Sequence, residues 1–471
     1  MTNVVIIGGG PGGYEAALVA RQLGGEVTLV ERRGVGGSAV LTDVVPSKTL
    51  VATAEVMTSV RRADQLGLRP AEVSGRTLDQ TVSVDLGQVH RRVIDLAQRQ
   101  SSDIAERLAR EGIRVIDGVG SLDGTEAVLA STGRARERLD ADIILLATGA
   151  RPRELPAAHP DGERILNWTQ MYTLTELPQR LIVVGSGVTG AEFASAYHAL
   201  GVDVVLISSR HQVLPGEDDD AGRVLQSVFE GSGMTILSRS RAVVARRTVA
   251  GVEVTLEDGR VVQGSHVLMA VGAVPNTEGL GLAEAGIELM PSGHIAVDRV
   301  SRTNARGVYA AGDCTGVFAL ASVAAMQGRI AMWHALGDAV APLDLAQVSA
   351  NVFTAPEIAT VGVGQDEIDV GLVRARAVVM PLDSNPRAKM QGVKDGFVKV
   401  FCLPTTGIVI GGVIVAPRAS ELIHVLSVAV SAKITVDQLA QAFTVYPSMS
   451  GSIAEAARRL HGSGGEAKVV Y

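Results

Sequence analysis

NVVIIGGGPGGYEAALVARQLGGEVTLVE, residues 3 to 31, passes from a short apolar run through a cluster of glycines into a helical stretch and ends, after a second apolar run, on an acid. Strand, glycine turn, helix, strand and acid in that order make the dinucleotide-binding pattern. Gly8, Gly10 and Gly13 permit a tight turn, a close approach of backbone N–H groups to a pyrophosphate, and packing of helix on sheet. The phosphate would sit at the helix N-terminus, where unpaired N–H groups favour an anion. Glu31 would accept hydrogen bonds from a ribose.

The pattern returns at residues 180 to 208, RLIVVGSGVTGAEFASAYHALGVDVVLIS, with glycines at Gly185, Gly187 and Gly190. Glu31 stands 23 residues after Gly8, and Ser208 stands 23 residues after Gly185. One glycine turn is weak evidence; two with matching offsets imply two nucleotide ligands.

The rest of the chain supplies a frame for them. Its 471 residues are 46% apolar and 20% charged, with 43 Lys+Arg against 50 Asp+Glu, which argues against a disordered chain and against a basic nucleic-acid binder. At roughly 150 residues per domain the length suggests about three domains. The longest apolar runs are about half of the roughly 18 residues a membrane span needs, and the start lacks a signal peptide's basic region, so a soluble cytoplasmic protein is expected. Residues 52 to 110 read as largely helical and 320 to 336 as a helix. The last quarter alternates strand-like runs (FVKVFC, IVIGGVIVA) with helices and has no glycine fingerprint, which suggests an association domain.

Cys314 and Cys402 are the only cysteines and lie far apart, so neither a disulfide framework nor a metal-binding cysteine motif is expected, and no metal site. Lys48 is the only lysine before Lys389 in an arginine-rich chain.

Taken together, GGGPGGYEAA with Glu31, Pro46-Ser47-Lys48, Ala147-Thr148-Gly149, GSGVTGAE, VGAVPNT, YAAGD ending in Asp313, and FTAPEIATVG at 353 to 362 are specific. On these motifs the chain resembles the flavoprotein disulfide reductases, the lipoamide dehydrogenase and glutathione reductase group, over essentially its whole length. The resemblance implies an α/β chain with two Rossmann-like domains and a C-terminal α+β dimerisation domain, usually in a homodimer. The expected divisions are 1–150 and 273–343 for FAD, 151–272 for NAD(P), and 344–471 for the interface. It places FAD on Gly8, Gly10, Gly13, Glu31, Gly37, Ser38, Gly120, Thr148, Gly149, Asp313 and Ala321. It also implies nicotinamide nucleotide contacts that include Gly272. Read without the family, Asp313 would be a helix N-cap.

The family carries two cysteines, C-x-x-x-x-C, just before Pro46. Here those positions are Ala39 and Val44, and neither side chain can carry electrons to a disulfide substrate. The family's C-terminal H-P-x-x-x-E is also lost, since FTVYPSMSGSIAE puts Tyr446 at the His position and Gly451 at the Glu position. A tyrosine in place of His, as Tyr446 is, makes a poor base at neutral pH but a good hydrogen-bond donor. The resemblance retains Lys48 and Glu192 as an ion pair beside the flavin ring, where the ammonium would stabilise the reduced ring. Glu15 has the same offset in the first copy, so the offset of Glu192 is not evidence by itself.

At the second site LISSRHQ lacks the acid typical of NAD-specific copies. Ser208 would remove repulsion towards a 2′-phosphate, Ser209 could hydrogen-bond it, and Arg210 or His211 could neutralise it, so NADPH should be accepted, with or without NADH. Electrons must then leave the flavin directly. The leading expectation is an NAD(P)H dehydrogenase acting on a quinone, by hydride transfer to flavin N5 and then to the acceptor, as in the family's subgroup without redox cysteines. A soluble transhydrogenase and a non-catalytic dimeric flavoprotein remain open.

Overall fold

The structure is a computed structural model that describes residues 1–71, 75–133 and 135–462. The chain divides into two compact units.

The first unit comprises residues 1–49, 88–153 and 272–344. Strand β1 (Asn3–Ile7) pairs in parallel with β2 (Glu26–Glu31) on one side and with Ile143–Leu146 on the other. Arg114–Asp117 and Val308–Ala310 extend the sheet to five strands. Val4 to Ile7 are all buried, as continuous apolar strands are when a parallel sheet is covered on both faces. One face packs against helix α1 (Pro11–Gln22) and the helices Leu86–Arg110 and Ala321–Ala335. A Cβ on Gly328 would lie 2.1 Å from the Gly12 carbonyl oxygen, so α1 and Ala321–Ala335 meet backbone to backbone. The other face packs against a three-stranded antiparallel sheet spanning residues 119–140.

The second unit comprises residues 50–87, 154–271 and 345–471, described to residue 462. Helix α2 (Val44–Arg62) begins in the first unit's range and ends in the second's. Strands β3 (Arg180–Val184) and β4 (Asp203–Ile207) form the centre of a second five-stranded parallel sheet, with helices α3 (Val188–Ala199) and α4 (Asp219–Gly231) in the connections. The C-terminal part is a five-stranded antiparallel sheet that includes β5 (Phe397–Cys402), packed against the helices Ala419–Ser431 and Gly451–Gly462.

The helical reading of 52–110 needs correction in its middle. Helix α2 stops at Arg62, the next long helix starts at Leu86, and among the described residues between them lie the short 3-10 turns Ala63–Leu66 and Leu78–Gln80. Gly67 closes the first turn in the left-handed region at φ 83°, and Pro70 follows, so the backbone has a reason to leave the helix.

Candidate active site

The two glycine turns have nearly the same geometry. Gly8 has φ 106° and Gly185 φ 109°, the left-handed region that favours glycine. A Cβ on Gly8 would lie 2.2 Å from Ala147 O, and one on Gly185 2.1 Å from Ala270 O. Gly13 and Gly190 would each place a Cβ 1.8 Å from the carbonyl oxygen of the first glycine in their turn. Gly10 and Gly187 are the helix N-caps, with φ/ψ of −69°/−177° and −73°/−174°, and nothing stands within 4 Å of where their Cβ would be. Each turn therefore leaves an open face at a helix N-terminus whose first turn holds no acid, as an anion requires.

The first turn opens onto a cleft of about 740 Å³, within the range of roughly 300–1,000 Å³ usual for ligand sites. Gly8, Gly10, Glu31, Gly37, Ser38, Gly120, Thr148, Gly149, Asp313 and Ala321 line it together. Gly13 acts from behind the wall, through its contact with Gly8. Glu31 is held at one end: Oε2 accepts from Gly9 N–H at 2.6 Å and Oε1 from Arg33 N–H at 2.7 Å. Each oxygen keeps a lone pair for a ribose hydroxyl. At Asp313 burial pushes the carboxyl pKa up, partly offset by His294. The helix after it starts at Ala321 with Leu320 as N-cap, so Asp313 is no cap.

Ala39 and Val44, the positions of the missing thiols, line the same cleft, beside Leu41, Thr42 and Asp43. Lys48 follows Val44 by one helical turn on α2, so the two share a helix face. Neither cysteine substitutes for the lost pair. Cys314 is fully buried, its thiol donating to Ala311 O at 3.3 Å, and Cys402 is buried in β5. Burial pushes both thiols up, away from the reactive thiolate. Native protein should therefore leave both unmodified by an aromatic disulfide reagent while urea exposes them; a fast-reacting thiol before unfolding would contradict the structure.

In the second unit Ser208 is buried and its hydroxyl lies 2.7 Å from that of Ser186, inside the second glycine turn. It also accepts from Arg210 N–H at 3.1 Å, whereas the Ser209, Arg210 and His211 side chains are exposed. Ser208 shapes the turn, and its neighbours offer the polar groups. Glu192, one turn into α3, is buried and Oε1 accepts from Phe353 N–H at 2.9 Å. Gly272, φ 94°, belongs to the first unit, where its carbonyl accepts from Arg153 N–H at 2.9 Å, and it does not line the cleft. Tyr446 is 82% exposed, next to exposed Val445 and Phe443.

Some pairings in the cleft had no sequence signal. Thr148 Oγ1 donates to Asn276 O at 2.7 Å, and Asn276 Nδ2 returns a bond to Thr148 O at 2.9 Å. Arg151 reaches Glu278 at 3.1 Å on the same wall. These partners lie more than 120 residues apart, and although Thr148 and Asn276 fall in quoted motifs, nothing local to either announces the pairing.

Two such turns, one of them opening on the cleft, belong to a mixed α/β fold with two parallel-sheet dinucleotide-binding domains. Residues 2–328 match the pyridine nucleotide-disulphide oxidoreductase family and residues 348–457 match its dimerisation domain, and the chain belongs to that family. It is an oxidoreductase that uses FAD and NAD(P)H. It is 54% identical to an NAD(P)H dehydrogenase (quinone) of Mycobacterium tuberculosis, over 98% of this chain and 94% of that protein. To a dihydrolipoyl dehydrogenase of Zymomonas mobilis it is 33% identical, over 98% of both. The crystal structure of LpdA from Mycobacterium tuberculosis superposes with a TM-score of 0.92 at 53% identity, covering 98% of this chain and all of that one. Among the described residues no helix is long and apolar enough to cross a membrane.

Proposed function

We propose that this chain is a cytoplasmic, homodimeric NAD(P)H:quinone oxidoreductase. The observation that carries the reading is the placement of Ala39 and Val44 in the cleft of the first glycine turn, where the family's dithiol would need sulfur. The M. tuberculosis relative's name, NAD(P)H dehydrogenase (quinone), supports it.

The residues fit the group the family implies. The open backbone at Gly10, braced by Gly8 and Gly13, would take the FAD pyrophosphate, Glu31 the adenosine ribose and Asp313 a ribityl hydroxyl. Gly37, Ser38, Gly120, Thr148, Gly149 and Ala321 would form the walls. Bound FAD supplies a two-electron carrier between the nicotinamide nucleotide and the acceptor. Gly185, Gly187 and Gly190 would hold the nucleotide pyrophosphate, and Gly272 would stand on its path. Ser209 and Arg210 would meet a 2′-phosphate, with uncharged Ser208 leaving room for it. Lys48, paired with Glu192, would hold a fixed positive charge at the flavin ring. Ala39 and Val44 give an apolar wall that suits a flat neutral acceptor, and the phenol of Tyr446, donated across a dimer interface, would hydrogen-bond its oxygen.

Anaerobic NADPH titration of the holoenzyme should take up two electrons per FAD, and a small soluble quinone should then restore the oxidised spectrum. Uptake of four electrons, or a reduced protein that quinone leaves unchanged, would overturn the proposal. Quinone reduction should also be indifferent to arsenite, which traps dithiols.

A further inference from the structure

Strand β5, FVKVFC, is buried at every position, and its one charged residue, Lys399, is 1% exposed. An ammonium so placed is costly unless its charge and donors are met. Lys399 Nζ donates to Asp218 Oδ2 at 2.7 Å and to Asp220 Oδ2 at 2.6 Å, and lies 5.5 Å from the centre of the Phe397 ring. Asp220 is also paired with Arg223, so the cluster of two cations and two anions is neutral.

Asp218 has a second task. It is the N-cap of α4, where Oδ1 accepts from Asp220 N–H at 3.0 Å and Ala221 N–H at 3.1 Å. One carboxylate, 3% exposed, closes a helix with one oxygen and takes a buried ammonium with the other. A strand of the C-terminal sheet thereby holds the start of a helix in the nucleotide-binding part of the same unit.

The segment that α4 terminates is the loop after β4, which carries Ser209 and Arg210. Its front end is fixed by Ser208 against Ser186, and its middle by Leu214 N–H on Ser186 O at 2.8 Å. Its far end is fixed by Gln212 Nε2 on Asp219 at 3.1 Å and by the Lys399 cluster on Asp218. The C-terminal part grips α3 as well, through Phe353 N–H on Glu192 and Ala355 N–H on Ser195 Oγ at 3.1 Å.

We infer that Lys399 is a positioning residue for the nicotinamide nucleotide: through Asp218 it fixes the loop bearing Ser209 and Arg210, and so sets the preference for NADP(H) over NAD(H). This rests on the reading of those two residues as the 2′-phosphate contacts. A flexible loop would have to be ordered on binding, at a cost borne by the nucleotide that uses the loop.

The test is calorimetric titration of the holoenzyme with NADP⁺ and with NAD⁺, alongside thermal denaturation, for R210A, K399M, the double variant K399M/D218N, and the double variant combined with R210A. Asn is as good an N-cap as Asp, so K399M/D218N keeps the cap and leaves no fully buried charge unpaired should K399M alone not fold. R210A should weaken NADP⁺ binding about tenfold, the scale of one hydrogen bond to a charged group, and NAD⁺ binding by less than about twofold. K399M and K399M/D218N should do the same, and adding R210A to the double variant should cost little more, because both act on one contact. If R210A shifts the preference while the Lys399 variants weaken both nucleotides equally or neither, the buried cluster is only structural and the inference is overturned. Full additivity overturns it too. An R210A protein with unchanged preference removes the assignment of the 2′ contacts, and the inference falls with it.

Discussion

Gly13→Ala should yield a protein that folds to a colourless product, with FAD lost on purification. The added methyl would stand 1.8 Å from Gly8 O and 3.0 Å from Gly8 C, both backbone atoms of the turn itself. Gly8 cannot retreat, because a side chain in its own position would already meet Ala147 O at 2.2 Å, and it is fixed by Gly8 N–H on Val30 O at 2.9 Å. Overpacking costs about 1–3 kcal/mol where side chains can shift, and more where backbone must. The displacement falls on the N–H groups meant for the pyrophosphate. Gly190→Ala makes the same 1.8 Å clash, with Gly185 O, in the second unit. That variant should stay yellow, with a full complement of FAD, while its reduction by NADPH slows by about a hundredfold, the penalty for a misplacement of about 1 Å. The pair separates the two assignments. Flavin lost from G190A and kept by G13A would reverse them, and FAD at full occupancy in both would remove the first turn from the cofactor site. Absorbance at the flavin band against protein concentration measures the first effect, and anaerobic stopped-flow measures the second.

These sites were legible because their chemistry is local. A strand, three glycines and a helix start lie within a dozen residues, and steric need fixes the residue type at each position. The missing dithiol was legible for a simpler reason: side chains without sulfur cannot carry sulfur chemistry wherever they fold. What the sequence could not show depends on distant partners. Ser208 reads as a position without charge, yet its hydroxyl closes a turn with Ser186, 22 residues away. The Asp313 cap reading needed a helix start nearby, and the helix begins eight residues later. Arg151, Asn276 and Glu278 enter the cleft only because the chain returns from the second unit's range to pair Ala273–Pro275 with Ala150–Pro152. Lys399 is the one charged residue of FVKVFC, and no acid stands beside it in that run to reveal its partners. The structure covers both faces and brings the compensating carboxylates from about 180 residues away.

The second large effect should come from Lys48. K48M replaces the ammonium with an apolar chain of similar length, removing charge and keeping most of the packing on α2. FAD should remain bound, because Glu31 and the backbone at Gly8 and Gly10, which would anchor it, are left untouched. Flavin reduction by NADPH should slow about 10²–10³-fold, the usual cost of removing one preorganised group from a place where charge develops. K48R tests geometry against charge: a planar guanidinium keeps the charge but not the compact point donor, and should recover only part of the rate. E192Q is the companion. The Gln carbonyl can still accept from Phe353 N–H, which Glu192 engages at 2.9 Å, so the local packing of α3 survives while the negative charge is lost. If the carboxylate serves to hold and orient the ammonium, E192Q should slow reduction by about tenfold, less than K48M, and K48M/E192Q should be no slower than K48M alone. Additive losses would mean that the two residues act separately. A K48M enzyme reduced within about twofold of the parent rate would exclude Lys48 from the reaction, and its singularity in an arginine-rich chain would then need another cause.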